Sequence, residues 1–126
     1  MLGLFGFIGR SKELQRLDRA LRAVDLHPKL VPEAVKLTAL KQLKEAEGGA
    51  PPLDAFESAA ALIAYCMLGA DAFAGANDEA QTQAVEGRIA AALEAGDSLD
   101  ARLIMLTLQA GVIQPEVVER FNLSMG

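Results

Sequence analysis

With 126 residues, 52% of them apolar, the chain is long enough for a single domain with its own core and requires neither a disulfide nor a metal to hold it together. Ala and Leu dominate, Trp is absent and β-branched residues are sparse, which argues against a sheet and for an all-α fold. The net charge of −5 is unevenly placed: nine bases and four acids lie in residues 1–44 (net +5), and three bases and thirteen acids in residues 45–126 (net −10).

The two halves attract each other, so basic helices are expected to pack beside acidic ones within the fold or across a dimer. The one cysteine, Cys66, permits no intramolecular disulfide and fits a reducing compartment. The one histidine, His27, leaves only carboxylates for a metal site, and neither a D-x-D-x-D-G loop nor an H-E-x-x-H pair occurs, so no metal or cofactor is expected.

The opening run MLGLFGFIG places Leu2, Leu4, Phe5, Phe7 and Ile8 between glycines at intervals of three. Positive charge (Arg10, Lys12) follows the run instead of preceding it, so it does not read as a secretory signal, and a cytoplasmic protein is expected. The glycine spacing lacks the Lys and Ser/Thr of a phosphate loop and the preceding strand of a dinucleotide fingerprint. Its first reading is an arm folded over the core or onto a partner; the alternative is a membrane foot beside basic side chains.

Ser11 is placed to cap a first helix running to about Val24, with Leu14, Leu17, Leu21 and Val24 as its buried stripe and Lys12, Arg16 and Arg19 opposite. Leu26-His27-Pro28 ends it, and His27 falls in a turn where a solvated or capping role is expected. Pro32 suits the first turn of a second helix reaching Ala46, with Val35, Ala39, Leu43 and Ala46 inside. Leu37 and Leu40 lie off that stripe among Lys36, Lys41 and Lys44 and are expected to meet another surface. The stretch 47–53, rich in Gly and Pro, is the best hinge in the chain.

The organising element follows. From about Ala55 to Ala70 the sequence AFESAAALIAYCMLGA has no charge after Glu57, and its apolar residues cover all sides, so it reads as a helix enclosed by protein and too short to span a bilayer. Asp54 and Glu57 have the spacing of a capping box. GADAFAGAND reads as turns, and Asp78 with Gln81 opens a fourth helix with Val85, Ile89, Ala92 and Leu93 inside and Gly96 as its stop. Asp97 or Ser98 caps a fifth helix in which Leu99, Leu103, Leu106 and Ala110 share a face while Ile104 and Leu108 point the other way. Gly111 ends it, and Pro115 opens a short last helix with Val117, Val118 and Phe121.

The helix, turn and proline-started helix of residues 17–35 are echoed at 99–118, the grammar of an αα-hairpin. The second copy has the outline of a DNA-reading helix-turn-helix, but Glu116 and Glu119 stand where a major-groove helix needs donors. No nucleophile with a base can be assembled by spacing: Cys66 and Tyr65 sit in the most apolar helix, and Asp97 and Asp100 look like a helix start.

The sequence therefore predicts a five- or six-helix bundle around the Ala-rich helix at about 55–70, acting as a non-catalytic protein-interaction module. It is expected to form a homodimer through Phe5, Phe7, Leu37, Leu40, Ile104 and Leu108, because two helices apolar all round exceed the interior available. The second reading is binding of an anionic surface, nucleic acid or membrane, through Arg16, Arg19, Lys36, Lys41 and Lys44; the third is a small enzyme whose site the sequence does not reveal.

Overall fold

The structure is a computed structural model in which residues 11–123 are described. The apolar run 1–9, expected to act as an arm, lies outside the described residues. Among those residues the chain forms seven α-helices and one 3-10 turn, and no strand.

The first helix, α1 (Lys12–Ala23), starts where expected: the Ser11 hydroxyl accepts the Leu14 amide at 3.0 Å. Asp25, at φ +65°, lets the Leu26 amide return to the Leu21 carbonyl and stops the helix. His27 has the capping role foreseen for it, its Nδ1 accepting the Lys29 amide at 3.1 Å ahead of the 3-10 turn Pro28–Leu30. Pro32 then stands as the N-cap of α2 (Glu33–Glu47), just outside the first turn, and Gly48 at φ +73° closes that helix.

The enclosed helix is α3 (Leu53–Leu68), with Phe56, Ala59, Ala60 and the run from Leu62 to Cys66 buried. It begins earlier than the expected capping box allows. Pro52 in extended conformation is its N-cap with no side-chain bond, so Asp54 falls inside the first turn, where its charge meets the positive end of the helix dipole.

GADAFAGAND is largely helical, contrary to its turn-like composition. Gly69, at φ +91°, bends the chain out of α3 into α4 (Ala70–Ala76) while its carbonyl accepts the Phe73 amide at 3.0 Å. Seven residues make no stable helix alone; this one is held because Phe73 is fully buried, edge-on to Tyr65 at 5.7 Å.

The next helix, α5 (Glu79–Ala95), carries the foreseen capping box in both directions, the Gln81 amide to Asp78 at 2.7 Å and the Asp78 amide to Gln81 at 3.2 Å. Gly96 ends it at φ +81°, and Leu93, expected inside, is exposed. Ser98 caps α6 (Leu99–Gln109) by accepting the Ala101 amide at 3.1 Å. The inner face of α6 is Leu103, Ile104 and Thr107, so the expected face is only partly right: Leu106 is half-buried and Ala110 exposed. Pro115 begins α7 (Pro115–Phe121), with Val117 buried.

The main neighbours of α3 are α1, α6, α4, α5 and α2, and α2 also lies along α6. The interior is thus one continuous cluster drawn from all these helices, which is why α3 needs no polar face. Leu62→Ala and Leu103→Ala, both at fully buried positions, are expected to lose roughly 2–5 kcal/mol each in urea denaturation. Leu106→Ala, at a half-buried position, should lose only about 1–2 kcal/mol.

Candidate functional site

The strongest chemical asymmetry of the surface lies on α1. Its apolar residues Leu14, Leu17, Ala20 and Leu21 face the interior, and the helical period then sends Lys12, Arg16, Arg19 and Arg22 outward, all exposed. At a rise of about 1.5 Å per residue these four cations form a row about 15 Å long. None of the four has an ion-pair partner among the described residues.

The acids of the same helix are held elsewhere. Because α1 and α2 run antiparallel, Glu13 near the start of α1 meets Lys44 near the end of α2 at 3.1 Å, and Asp18 meets Lys36 at 3.1 Å. Lys36 also reaches Glu33 at 3.5 Å. Both carboxylates are thereby neutralised by α2, and the outer face of α1 keeps an undiluted positive charge.

The sequence candidates divide accordingly. Arg16 and Arg19 stand in the row, joined by Lys12 and Arg22. Lys41 is exposed on α2. Lys36 leaves the set: its side chain is only 5% exposed, and its ammonium is satisfied by Asp18 and Glu33. Lys44 remains half exposed but is committed to Glu13. Arg22 was missed because the stripe opposite Leu14 and Leu21 was read only as far as Arg19; the same period continued by one turn would have found it.

The self-association candidates divide too. Leu37 is 53% exposed and Leu108 half-buried, whereas Leu40 and Ile104 belong to the monomer core at 5% and 2%. The reason is that α2 and α6 lie against each other as well as against α3, so each buries a wider arc than a single stripe. Phe5 and Phe7 lie outside the described residues.

No family model, no curated protein and no solved structure matches this chain. What the site does must therefore be argued from its chemistry.

Two groups with reactive chemistry are held quiet. Burial pushes the Cys66 thiol up to about 11, against a smaller opposite effect of the Thr107 hydroxyl, so it is an undissociated thiol near neutral pH. Burial, reinforced by the Glu86 carboxylate, also raises the pKa of the Tyr65 phenol, which donates to Glu86 at 2.7 Å. The same Glu86 oxygen forms an ion pair with Arg120 at 3.1 Å, so this trio ties α3, α5 and α7 together. Arg88 does similar work, gripping Asp100 with two bonds of 2.9 and 3.0 Å and the Ser58 carbonyl at 2.9 Å.

A groove of about 290 Å³ between α2 and α6 is lined by Thr38, Gln42, Arg102 and Met105 among others. In it, Gln42 Oε1 is buried without a hydrogen-bond partner among the described residues. Among the described residues no three His, Cys, Asp or Glu side chains are grouped to hold a metal.

The division of lysines has a measurable consequence. Lys36→Gln should cost about 1.5–3 kcal/mol of stability, since it removes the largely buried ammonium that pairs with Asp18 and Glu33. Lys41→Gln, at an exposed site, should stay within about 0.5 kcal/mol, as read by paired urea titrations.

Proposed function

We propose that this protein is a helical interaction module that docks an anionic surface through the outer face of α1, and that it works in the cytoplasm, where Cys66 remains a free thiol. The observation that carries the reading is the row Lys12, Arg16, Arg19 and Arg22: four exposed cations on one helix face, with the two acids of that helix engaged by lysines of α2.

A second feature supports it. Ion pairs between described residues join partners on the same side of residue 44: Lys36–Asp18, Lys36–Glu33 and Lys44–Glu13 in the basic half, Arg88–Asp100, Arg102–Asp97 and Arg120–Glu86 in the acidic half. The packing of basic against acidic helices expected from the charge division therefore produces no contact pair between the halves among the described residues, and the cations of the α1 row stay available to a partner. The acidic remainder of the molecule orients it, presenting α1 toward negative charge and repelling other approaches.

A protein of net charge −5 is ordinarily not retained by a phosphate-bearing matrix. The expected outcome is that this one binds phosphocellulose at low ionic strength through its α1 row and elutes as salt rises. The fourfold variant Lys12→Gln, Arg16→Gln, Arg19→Gln, Arg22→Gln should flow through with its circular dichroism unchanged. On duplex DNA, four phosphate contacts correspond to a slope of roughly −3 to −4 in log K against log salt. Equal behaviour of the parent protein and the variant on these supports would overturn the reading.

A further inference from the structure

We infer that the anion docked by α1 is an acidic helical segment of another protein, with carboxylates at the spacing of the cationic row. This rests on the reading of α1 as an anion-docking face and names its partner.

The row has two ends, and both are acidic. Asp25, exposed, follows three residues after Arg22. At the other end the Glu13–Lys44 pair brings the last turn of α2 beside the start of α1, and with it the exposed Glu45 and Glu47. Exposed charges act over about 10 Å in ordinary buffers, so an anion that runs past the row is opposed at each end. A nucleic-acid duplex or a bilayer surface runs past it. A segment of about 15 Å, roughly ten residues of helix, does not. Single-stranded nucleic acid is disfavoured on a separate ground, since α1 holds no aromatic residue on which a base could stack.

The spacing then selects the conformation of the partner. Lys12, Arg16, Arg19 and Arg22 are separated by four, three and three residues, which is about 6, 4.5 and 4.5 Å along the helix axis. Carboxylates on one face of a second helix recur by the same steps. Alternate residues of an extended chain are about 7 Å apart, and four of them span about 20 Å, so they fall out of step with the row. Three of the four cations are arginines, whose planar guanidinium groups donate two parallel bonds to one carboxylate.

A second copy of this chain does not supply the match. Its most acidic helix, α5, has only Glu79, Glu86 and Glu94, at intervals of seven and eight residues, and Glu86 is already engaged by Tyr65 and Arg120. No other helix among the described residues has four acids. The partner is therefore a different protein.

The test is an NMR titration of the isotopically labelled full chain at low salt with an Ala- and Gln-based helical peptide of about 20 residues. The peptide carries four Glu separated by four, three and three residues; a control peptide of the same composition carries them every fifth residue, so that they wind around the helix. Amide shifts are expected along α1, and they should fade as salt rises. Affinity should fall at least about tenfold for the control peptide, and equally for the fourfold α1 glutamine variant. Lys41→Gln, an exposed cation off the row, should leave it unchanged. Circular dichroism identifies any variant that fails to fold, and the pair Arg16→Gln, Arg19→Gln then replaces the fourfold change. Removing the acidic ends with Asp25→Asn, Glu45→Gln and Glu47→Gln should tighten binding to duplex DNA severalfold and leave peptide affinity little changed. Tighter binding of the parent protein to duplex DNA or to phosphatidylglycerol vesicles than to the peptide would overturn the partner assignment and leave the α1 reading standing. Equal affinity for the two peptides would overturn the helical match. Failure to bind peptide, DNA, vesicles or phosphocellulose would overturn both readings.

Discussion

The enclosure of α3 is the constraint on which the other elements depend. A helix that is apolar on every side is stable in water only if neighbours cover every side, and Ala59, Ala60 and Ala64 are small enough for those neighbours to approach closely. Enclosure also creates obligations at the polar groups of α3, since an unmatched buried polar group costs more than a typical hydrogen bond contributes. Several polar groups of α3 are matched from other elements. The Cys66 carbonyl accepts the Gln114 amide at 2.8 Å and the Met67 carbonyl accepts the Gln114 side chain at 2.9 Å, so the loop before α7 closes the end of α3. Arg88 serves the Ser58 carbonyl, and Glu86 the Tyr65 hydroxyl. The positions of α5, α6 and α7 follow in part from these demands.

Charge is settled locally in the same way. Opposite net charges on the two halves create an attraction through space, but a contact ion pair needs side chains on adjacent, correctly phased turns. The α1–α2 hairpin supplies such turns immediately, at Asp18 with Lys36 and Glu13 with Lys44. Arg88 and Asp100 meet in the same manner across α5 and α6. Once neighbouring helices have paired what geometry permits, the cations that remain among the described residues are the four phased outward on α1 together with Lys29 and Lys41, and none of them forms an ion pair with a described acid of the other half. The surplus is a residue of folding, not an oversight of it.

How much of this was legible in the sequence depended on the range of the interaction. Caps at Ser11, Asp78 with Gln81, Ser98 and Gly96 could be read because a cap involves only the next three or four residues. The all-α character and the enclosed Ala-rich helix were legible from composition and from uninterrupted apolarity. The helix Ala70–Ala76 was not, because its stability comes from Phe73 meeting Tyr65, a contact that local pattern does not encode. The inner face of α6 was turned for a related reason: a segment apolar all round carries no periodic signal, and only the placement of α2 and α3 selects Leu103, Ile104 and Thr107. Lys36 looked solvated beside Leu37, since a lysine buried by its stem and paired at its tip has the same letter as one in water.

The surface makes the same point about arrangement. Among the described residues the exposed large apolar ones are Leu30 in the 3-10 turn, Leu37 on α2, Leu53 at the start of α3 and Leu93 near the end of α5. They are four residues on four elements, and singly exposed leucines are ordinary on a folded surface. The exposed cations of α1 are also four, yet they share one helix and one face, at separations of four, three and three residues. Equal numbers thus carry unequal information. Dispersed side chains act one at a time against a partner, whereas a row fixed on a rigid helix presents its charges together, and the entropy of bringing them into line was already lost when α1 packed against α3.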